Sequence, residues 1–106
     1  MQTTEITEKA WQKQLEALAK TLGYTHIYHT FMSRWSDKGF PDLVLVHPGQ
    51  KRVVYIECKR ESGKLTDHQR EWLAALESAG QEAYVLRPSD WDRAVEILQK
   101  RNGAGQ

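Results

Sequence analysis

Two apolar runs separated by four turn-forming residues constrain the fold of this chain most. The first extends from Asp42 to His47 and the second from Arg52 to Lys59, with Pro48-Gly49-Gln50-Lys51 between them. Short runs rich in branched residues on either side of a proline–glycine turn predict a β-hairpin. Because both runs are apolar on both faces, we expect the sheet to be covered on both sides.

Three charged side chains interrupt the apolar pattern at one end of this hairpin. Asp42 opens the first run, and Glu57 and Lys59 close the second. Pairing through the turn brings these strand ends together, and strand alternation turns Glu57 and Lys59 to the same face. Two converging carboxylates suit Mg²⁺, which prefers oxygen ligands and activates water toward phosphodiesters. Lys59 would orient or deprotonate that water, or neutralise developing charge, and the sequence leaves these roles open.

The remaining segments predict helices and further strands around the hairpin. Helical spacing indicates a first helix from Glu5 to Leu22, capped by Thr4 or Thr7, and a capping box at 66–69 begins a second helix that Gly80 ends. Residues 89–92 would cap a last helix, and residues 24–31 and 82–87 read as strands. The predicted fold is one α/β domain over residues 1–101, in the order α-β-β-β-α-β-α, with a mixed sheet flanked by helices. Residues 102–106 would be a disordered tail.

The helical spacing also predicts which side chains point inward. The expected core members are Trp11, Trp72, Leu73, Leu76, Ala79 and Trp91. Glu8 projects beside the apolar stripe of the first helix, where an acid is costly without a partner, so it is a candidate third carboxylate for the cation. Gln69 projects inward on the second helix, and either its capping role or a role in the site explains it.

Charge and composition limit the class of protein. A net charge of +1 means that DNA binding would depend on a local patch, for which Arg34, Trp35, Lys38 and Lys64 are candidates, with Trp35 stacking on a base. The apolar stretches are too short to span a membrane, and no secretory signal is visible at the N-terminus. The single cysteine, Cys58, excludes an internal disulfide and a thiolate metal cluster. We therefore expect a cytoplasmic protein.

Four blocks of the sequence together resemble one nuclease family. They are Glu8-x-x-Trp11-Gln12-x-x-Leu15, Gly39-Phe40-Pro41-Asp42-Leu43, Ile56-Glu57-Cys58-Lys59 and Gly63-Lys64-Leu65-x-x-x-Gln69. Over residues 8–87 they are similar to the virus-type replication-repair nuclease (VRR-NUC) domain of the PD-(D/E)XK superfamily, in its stand-alone phage and bacterial form. The resemblance implies a restriction-endonuclease-like core in the order α-β-β-β-α-β, which the C-terminal helix extends.

This resemblance also implies a site. Asp42, Glu57 and the backbone carbonyl of Cys58 would bind Mg²⁺, for which Mn²⁺ would substitute. Lys59 would be the catalytic lysine, and Gln69 would support the centre. The N-terminal acid, which is Glu8 or alternatively Glu5, would bind the metal directly or through water.

The implied activity is that of a metal-dependent DNA endonuclease. Stand-alone members of this size are similar to Holliday-junction resolvases, so we expect a homodimer that selects branched DNA. The rival interpretations are a flap or general DNA nuclease, a catalytically silent DNA-binding module, and a partner-binding domain in which the acids are ordinary surface charges.

Overall fold

Four strands form one sheet in the order β1-β2-β3-β4 in the computed structural model, which describes residues 5–30 and 37–100. The strands are β1 (His26–His29), β2 (Leu43–His47), β3 (Arg52–Cys58) and β4 (Glu82–Leu86). β2 lies antiparallel to both of its neighbours, whereas β4 lies parallel to β3. The predicted hairpin is confirmed, because β2 and β3 pair across a 3₁₀ turn at Pro48–Gln50.

Within the described residues three helices pack against this sheet, namely α1 (Glu8–Thr21), α2 (Asp67–Ser78) and α3 (Trp91–Gln99). The connection from β3 to β4 contains α2, as a parallel pair of strands requires. The order along the described residues is α-β-β-β-α-β-α, so the predicted mixed α/β fold is confirmed. Within these residues, no helix has the length and apolar content needed to cross a membrane.

The hydrophobic core lies between one face of the sheet, which we call the core face, and the helices α1 and α3. Its fully buried members include Trp11, Leu15, Leu43, Leu45, Val54, Ile56, Leu86 and Leu98. The indole N–H of Trp11 donates to the carbonyl oxygen of Leu86 at 2.8 Å, which ties α1 to the end of β4.

The opposite face, which we call the site face, is only half covered. Phe40 fills the space below α2, with its ring 5.0 Å from that of Trp72 and 6.3 Å from that of Tyr55. Elsewhere on this face Tyr28 and Val53 are 56% and 37% exposed. The sheet therefore carries helices on both faces, as expected, but α2 covers the site face only in part. One helix is about 10 Å wide. A sheet of four strands spaced about 4.8 Å apart is wider than that, so a second helix would be needed to cover the whole face.

Two side chains that helical spacing placed in the core lie elsewhere. Trp91 is 41% exposed, and its ring makes an edge contact with that of Trp11, at 6.2 Å between ring centroids. It is the first residue of α3, which follows a 3₁₀ turn, so it lies at the helix end, where no preceding turn of α3 covers it. Ala79 is exposed because it is the C-cap that follows α2.

The helix termini match the predicted caps in part. Thr7 caps α1, which begins at Glu8 rather than at Glu5. Thr66 caps α2 with both bonds of the predicted capping box. Asp90 stands at the N-cap of α3, but its carboxylate accepts the N–H of Arg87 instead of a helical N–H, so the expected cap at 89–92 is wrong in this respect. The predicted tail, 102–106, lies outside the described residues.

Candidate functional site

The end of the β2–β3 hairpin that lies opposite the turn gathers the five side chains proposed from the sequence. Asp42 immediately precedes β2, Glu57 lies in β3, and Lys59 follows β3. Gln69 is in the first turn of α2, and Glu8 is the first residue of α1. Side chains from β3, α1 and α2 therefore meet at one corner of the sheet, together with Asp42 and Lys59 beside the strand ends.

Asp42 is held by backbone contacts on both sides. Its Oδ2 accepts the N–H of Cys58 at 2.8 Å, and its carbonyl oxygen accepts the N–H of Thr30 at 2.8 Å. The Thr30 hydroxyl also donates to the carbonyl oxygen of Pro41 at 2.8 Å, and Pro41 is fully buried. These bonds fix the carboxylate of Asp42 between the two strands, next to Glu57.

Glu57 is 1% exposed and has few partners for a buried acid. Its Oε2 accepts a hydrogen bond from Nε2 of Gln69 at 3.0 Å, and Nζ of Lys59 is 3.9 Å away, too far for a hydrogen bond. Within residues 5–30 and 37–100, nothing donates to its Oε1. Burial, followed by the neighbouring Asp42 carboxyl, raises the pKa of Glu57 to about 9. A proton shared with Asp42, or a cation, would satisfy the bare oxygen.

Gln69 contacts both the start of α2 and the candidate site, which the sequence left as alternatives. Its side-chain oxygen accepts the N–H of Thr66 at 2.9 Å and so completes the capping box. Its side-chain nitrogen donates to Glu57 at 3.0 Å. The two ends of one amide therefore join the start of α2 to the acid in β3.

Lys59 lies between two carboxylates. It is 7% exposed, and its ammonium nitrogen is 3.8 Å from Oε2 of Glu8 and 3.9 Å from Oε2 of Glu57. The side chain of Glu8 is 44% exposed and borders the site on the solvent side. Glu5 instead accepts the backbone N–H and the hydroxyl of Ser62, at 3.0 and 2.9 Å, and these bonds lower its pKa. Of the two N-terminal acids, the geometry brings Glu8 to the site.

The carbonyl of Cys58 also faces this corner. The β2–β3 register, in which Leu43 lies opposite Ile56, continues to place Pro41 opposite Cys58. The N–H of Cys58 points toward Asp42, and the carbonyl of a strand residue points to the same side as its N–H. Because proline has no N–H, the ladder supplies no donor to this carbonyl. The thiol is buried on the core face, and this burial raises its pKa.

The donor set fits a hard divalent cation. No three His, Cys, Asp or Glu side chains in the described part of the chain converge as a complete metal site. Mg²⁺ does not need such a cage, because it is commonly held by one or two carboxylates, waters and a substrate phosphate. Asp42, Glu57 and the Cys58 carbonyl offer oxygen donors, and a cation would relieve the undonated Oε1 of Glu57.

The basic residues proposed for DNA contact are placed only in part. Lys38 and Lys64 are exposed, in the segments that lead into Asp42 and out of Lys59. The Lys64 segment is held in place, since the guanidinium of Arg87 donates to the carbonyl of Gly63 at 2.5 Å. Arg34 and Trp35 lie outside the described residues.

Sequence reasoning gave no role to several residues that build the corner. The missing N–H of Pro41 was a readable signal, because a proline paired in a ladder leaves a carbonyl without its donor. The contacts of Thr30 with Pro41 and Asp42 had no such signal, since they join segments that only the folded sheet brings together.

Three comparisons with known proteins bear on this corner. The VRR-NUC domain family model matches residues 2–90. A solved structure described as a VRR_NUC domain protein superposes with a TM-score of 0.62 at 18% identity, and the match covers 97% of this chain and 93% of that one. This likeness concerns the fold.

A Fanconi-associated nuclease 1 homolog from Caenorhabditis elegans is 44% identical over 52 residues, which are 49% of this chain and 6% of that much longer protein. The family match, in contrast, extends over most of this chain and includes Asp42, Glu57, Lys59 and Gln69. The chain therefore belongs to the VRR-NUC domain family.

Proposed function

We propose that this protein is a metal-dependent nuclease that hydrolyses DNA phosphodiester bonds with Mg²⁺, for which Mn²⁺ substitutes. The observation that carries the proposal is the buried Glu57 beside Asp42, in which Oε1 of Glu57 lacks a donor among the described residues. The family assignment and the name of the Caenorhabditis elegans relative support a nuclease function.

The proposed work of the site is divided between its residues. Asp42, Glu57 and the carbonyl of Cys58 hold the cation. When bound, the cation supplies positive charge that polarises the phosphodiester and offsets charge in the transition state. Gln69 keeps the Glu57 carboxylate turned toward Asp42, through the hydrogen bond at 3.0 Å.

Lys59 is proposed as the catalytic lysine. Its ammonium is almost fully buried and lies within 4 Å of Glu8 and Glu57. We therefore place it within reach of an attacking water or of a phosphate oxygen of the substrate. In that place it orients or deprotonates the water, or it neutralises developing charge. Glu8 contributes to the cation shell directly or through water.

The proposal extends to branched DNA as the substrate and to a homodimer as the active form. A net charge of +1 gives one chain little attraction for a long duplex. Two copies related by a two-fold axis present twice the basic surface and two sites, which paired cuts on a four-way junction need.

Cleavage assays test this proposal directly. Labelled four-way junction, flap and linear duplex are incubated with Mg²⁺, Mn²⁺, Ca²⁺ or EDTA, beside the variant Asp42→Asn. We expect cutting with Mg²⁺ and Mn²⁺, loss of cutting in the variant, and preference for the junction. An active Asp42→Asn protein would overturn the site assignment. A preference for the flap or for plain duplex would replace the resolvase assignment, and binding without any cutting would favour a silent DNA-binding module.

Lys59→Ala separates catalysis from binding. We expect the variant to lose turnover while its affinity for the junction in Ca²⁺ stays within a few-fold of wild type. A parallel loss of affinity would make Lys59 a phosphate contact instead of a catalytic group.

A further inference from the structure

Gly39 lies against the backbone of α2 with no room for a side chain. Its φ is +85°, a conformation that side chains rarely adopt. A Cβ built on it would stand 2.4 Å from the carbonyl carbon and 2.5 Å from the carbonyl oxygen of His68, and 2.7 Å from the nitrogen of Gln69. All three atoms belong to the helix backbone, so no side-chain rotation would relieve the contact.

The turn that contains Gly39 connects two parts of the proposed metal site. Toward the C-terminus it runs through Phe40 and Pro41 into Asp42. Toward α2 it touches His68 and Gln69, and Gln69 in turn holds Glu57. Asp42 and Glu57 are therefore linked through the turn and the start of α2, as well as through the sheet.

We propose that Gly39 is a positioning residue for this site, because direct contact between its backbone and the first turn of α2 sets the distance between Asp42 and the Gln69–Glu57 pair. The proposal rests on the proposed function. Ordinary contacts of a Cβ begin at 3.4 Å, so a methyl group at this position would push the turn and the helix apart by about 1 Å. Misplacement on that scale costs about 10²-fold in catalysis.

Gly80 provides a matched control. Its φ is +81°, close to that of Gly39, but a Cβ built on it meets nothing within 4 Å. Gly80→Ala and Gly39→Ala therefore share the cost of a side chain at positive φ, and only Gly39→Ala adds the collision with α2. Gly80 follows the C-cap of α2, at the other end of the helix from the site.

The test compares wild type, Gly39→Ala and Gly80→Ala at a temperature where all three are folded by circular dichroism. Mn²⁺ affinity is measured by titration calorimetry without DNA, and kcat and KM are measured on the junction. In metal-free protein, the side-chain amide resonances of Gln69, assigned with Gln69→Ala, report its bond to Glu57. We expect Gly39→Ala to shift these resonances, to weaken Mn²⁺ binding at least tenfold, and to lower kcat by about 10²-fold with KM nearly unchanged. Gly80→Ala should match wild type in all these measurements.

Equal Mn²⁺ affinity and equal kcat in the two alanine variants would overturn the proposal, even if Gly39→Ala were the less stable protein. If Gly39→Ala does not fold, Phe40→Leu replaces it, because the Phe40 ring packs on Trp72 of α2 and the variant loosens the same turn without a collision. A Phe40→Leu protein with unchanged Mn²⁺ affinity would then reject the proposal. Failure of the proposed function has a different signature, namely wild-type protein that neither binds Mn²⁺ nor cuts DNA.

Discussion

The two ends of β3 each bury an ionisable side chain, and the two side chains differ in how many hydrogen-bond partners surround them. Arg52, at the first position, is 3% exposed and donates to both carboxylate oxygens of Glu82, at 2.7 and 2.8 Å. It also donates to the Tyr24 hydroxyl at 3.0 Å and to three carbonyls at the end of α3, those of Ile97, Leu98 and Lys100. Glu57, five residues later, receives one hydrogen bond from the described residues, on one of its two oxygens.

The difference separates a structural charge from a functional one. The last carbonyls of a helix need donors and carry partial negative charge, so a guanidinium with a carboxylate beside it satisfies them and is satisfied in return. This pairing raises the pKa of Arg52 and lowers that of Glu82, which means that both stay charged. At the other end, the raised pKa of Glu57 shows a carboxyl whose charge the described residues leave without full compensation. A buried charge that the chain does not satisfy is one that a ligand can satisfy.

Removing Arg52 should have the largest effect on stability. Arg52→Met keeps most of the apolar stem but removes the guanidinium that donates to Glu82 and to the carbonyls at the end of α3, so we expect a loss of about 3–5 kcal/mol of unfolding free energy. Urea denaturation in EDTA measures it. Mn²⁺ affinity at low temperature, where the variant is folded, should stay within a few-fold of wild type. A loss of stability below about 1 kcal/mol would mean that Arg52 and its partners contribute no more to the free energy of unfolding than an exposed ion pair does.

Glu57→Gln should change stability in the opposite direction. The folded pKa of Glu57, about 9, lies above its ordinary value of 4.5, so the carboxyl stabilises the fold best when protonated. Wild type should therefore lose up to about 1.4 kcal/mol per pH unit as the pH rises between these values, whereas glutamine does not titrate. In EDTA the variant should be the more stable protein, by a margin that grows from pH 6 to pH 8, and it should not bind Mn²⁺ or cut DNA.

Denaturation of both proteins at the two pH values gives the comparison. A margin that shrinks with pH would show that Glu57 is charged and satisfied in the folded protein, and the contrast with Arg52 would then fail.

The two ends of β3 also differ in how far the sequence could predict them. Asp42, Glu57 and Lys59 interrupt apolar strands, so their place in the sheet followed from strand alternation and hairpin pairing alone. Arg52 stands at the start of an apolar strand, a position where exposed charged residues are common, so the sequence gives no sign that it is buried. Its partners lie 28 to 48 residues away in β4, α3 and the segment before β1. No local pattern carries information about such contacts, because they exist only after the helices have packed.

The same limit explains the details that the sequence did not give. The exposure of Trp91 depends on where α3 begins relative to the edge of the core, and the incomplete cover of the site face depends on how many strands α2 can span. Gln69 was expected to cap α2 or to support the site, but its specific hydrogen bond to Glu57 could not be predicted, because it requires the crossover between β3 and β4 to be in place. Local signals thus predicted the elements, and tertiary packing decided the partners.

Pro41→Ala tests whether a missing donor helps to make the functional end of β3. The new N–H would lie opposite the carbonyl of Cys58 and would compete with a cation for that oxygen. One ordinary hydrogen bond is worth about 1 kcal/mol net, so we expect Mn²⁺ affinity to fall by about three- to tenfold. Calorimetric titration measures the change, and slow exchange of the amide proton that the substitution introduces would report the new bond. A protected amide together with unchanged Mn²⁺ affinity would remove the Cys58 carbonyl from the donor set.

Cys58→Ala should have the smallest effect on stability and on Mn²⁺ binding. It tests whether the carbonyl or the thiol of Cys58 belongs to the donor set. The thiol points to the core face, away from Asp42 and Glu57, so removing it should cost about 1 kcal/mol of stability through lost packing. Mn²⁺ affinity and junction cleavage should remain at wild-type levels, because the proposed ligand is the carbonyl, which every residue has. Urea denaturation, titration and cleavage of the same preparation check the three expectations together. If Mn²⁺ affinity fell in Cys58→Ala, Cys58 would act through its sulfur. The Cys58 carbonyl, which receives no ladder hydrogen bond from Pro41, would then no longer be needed to explain the site.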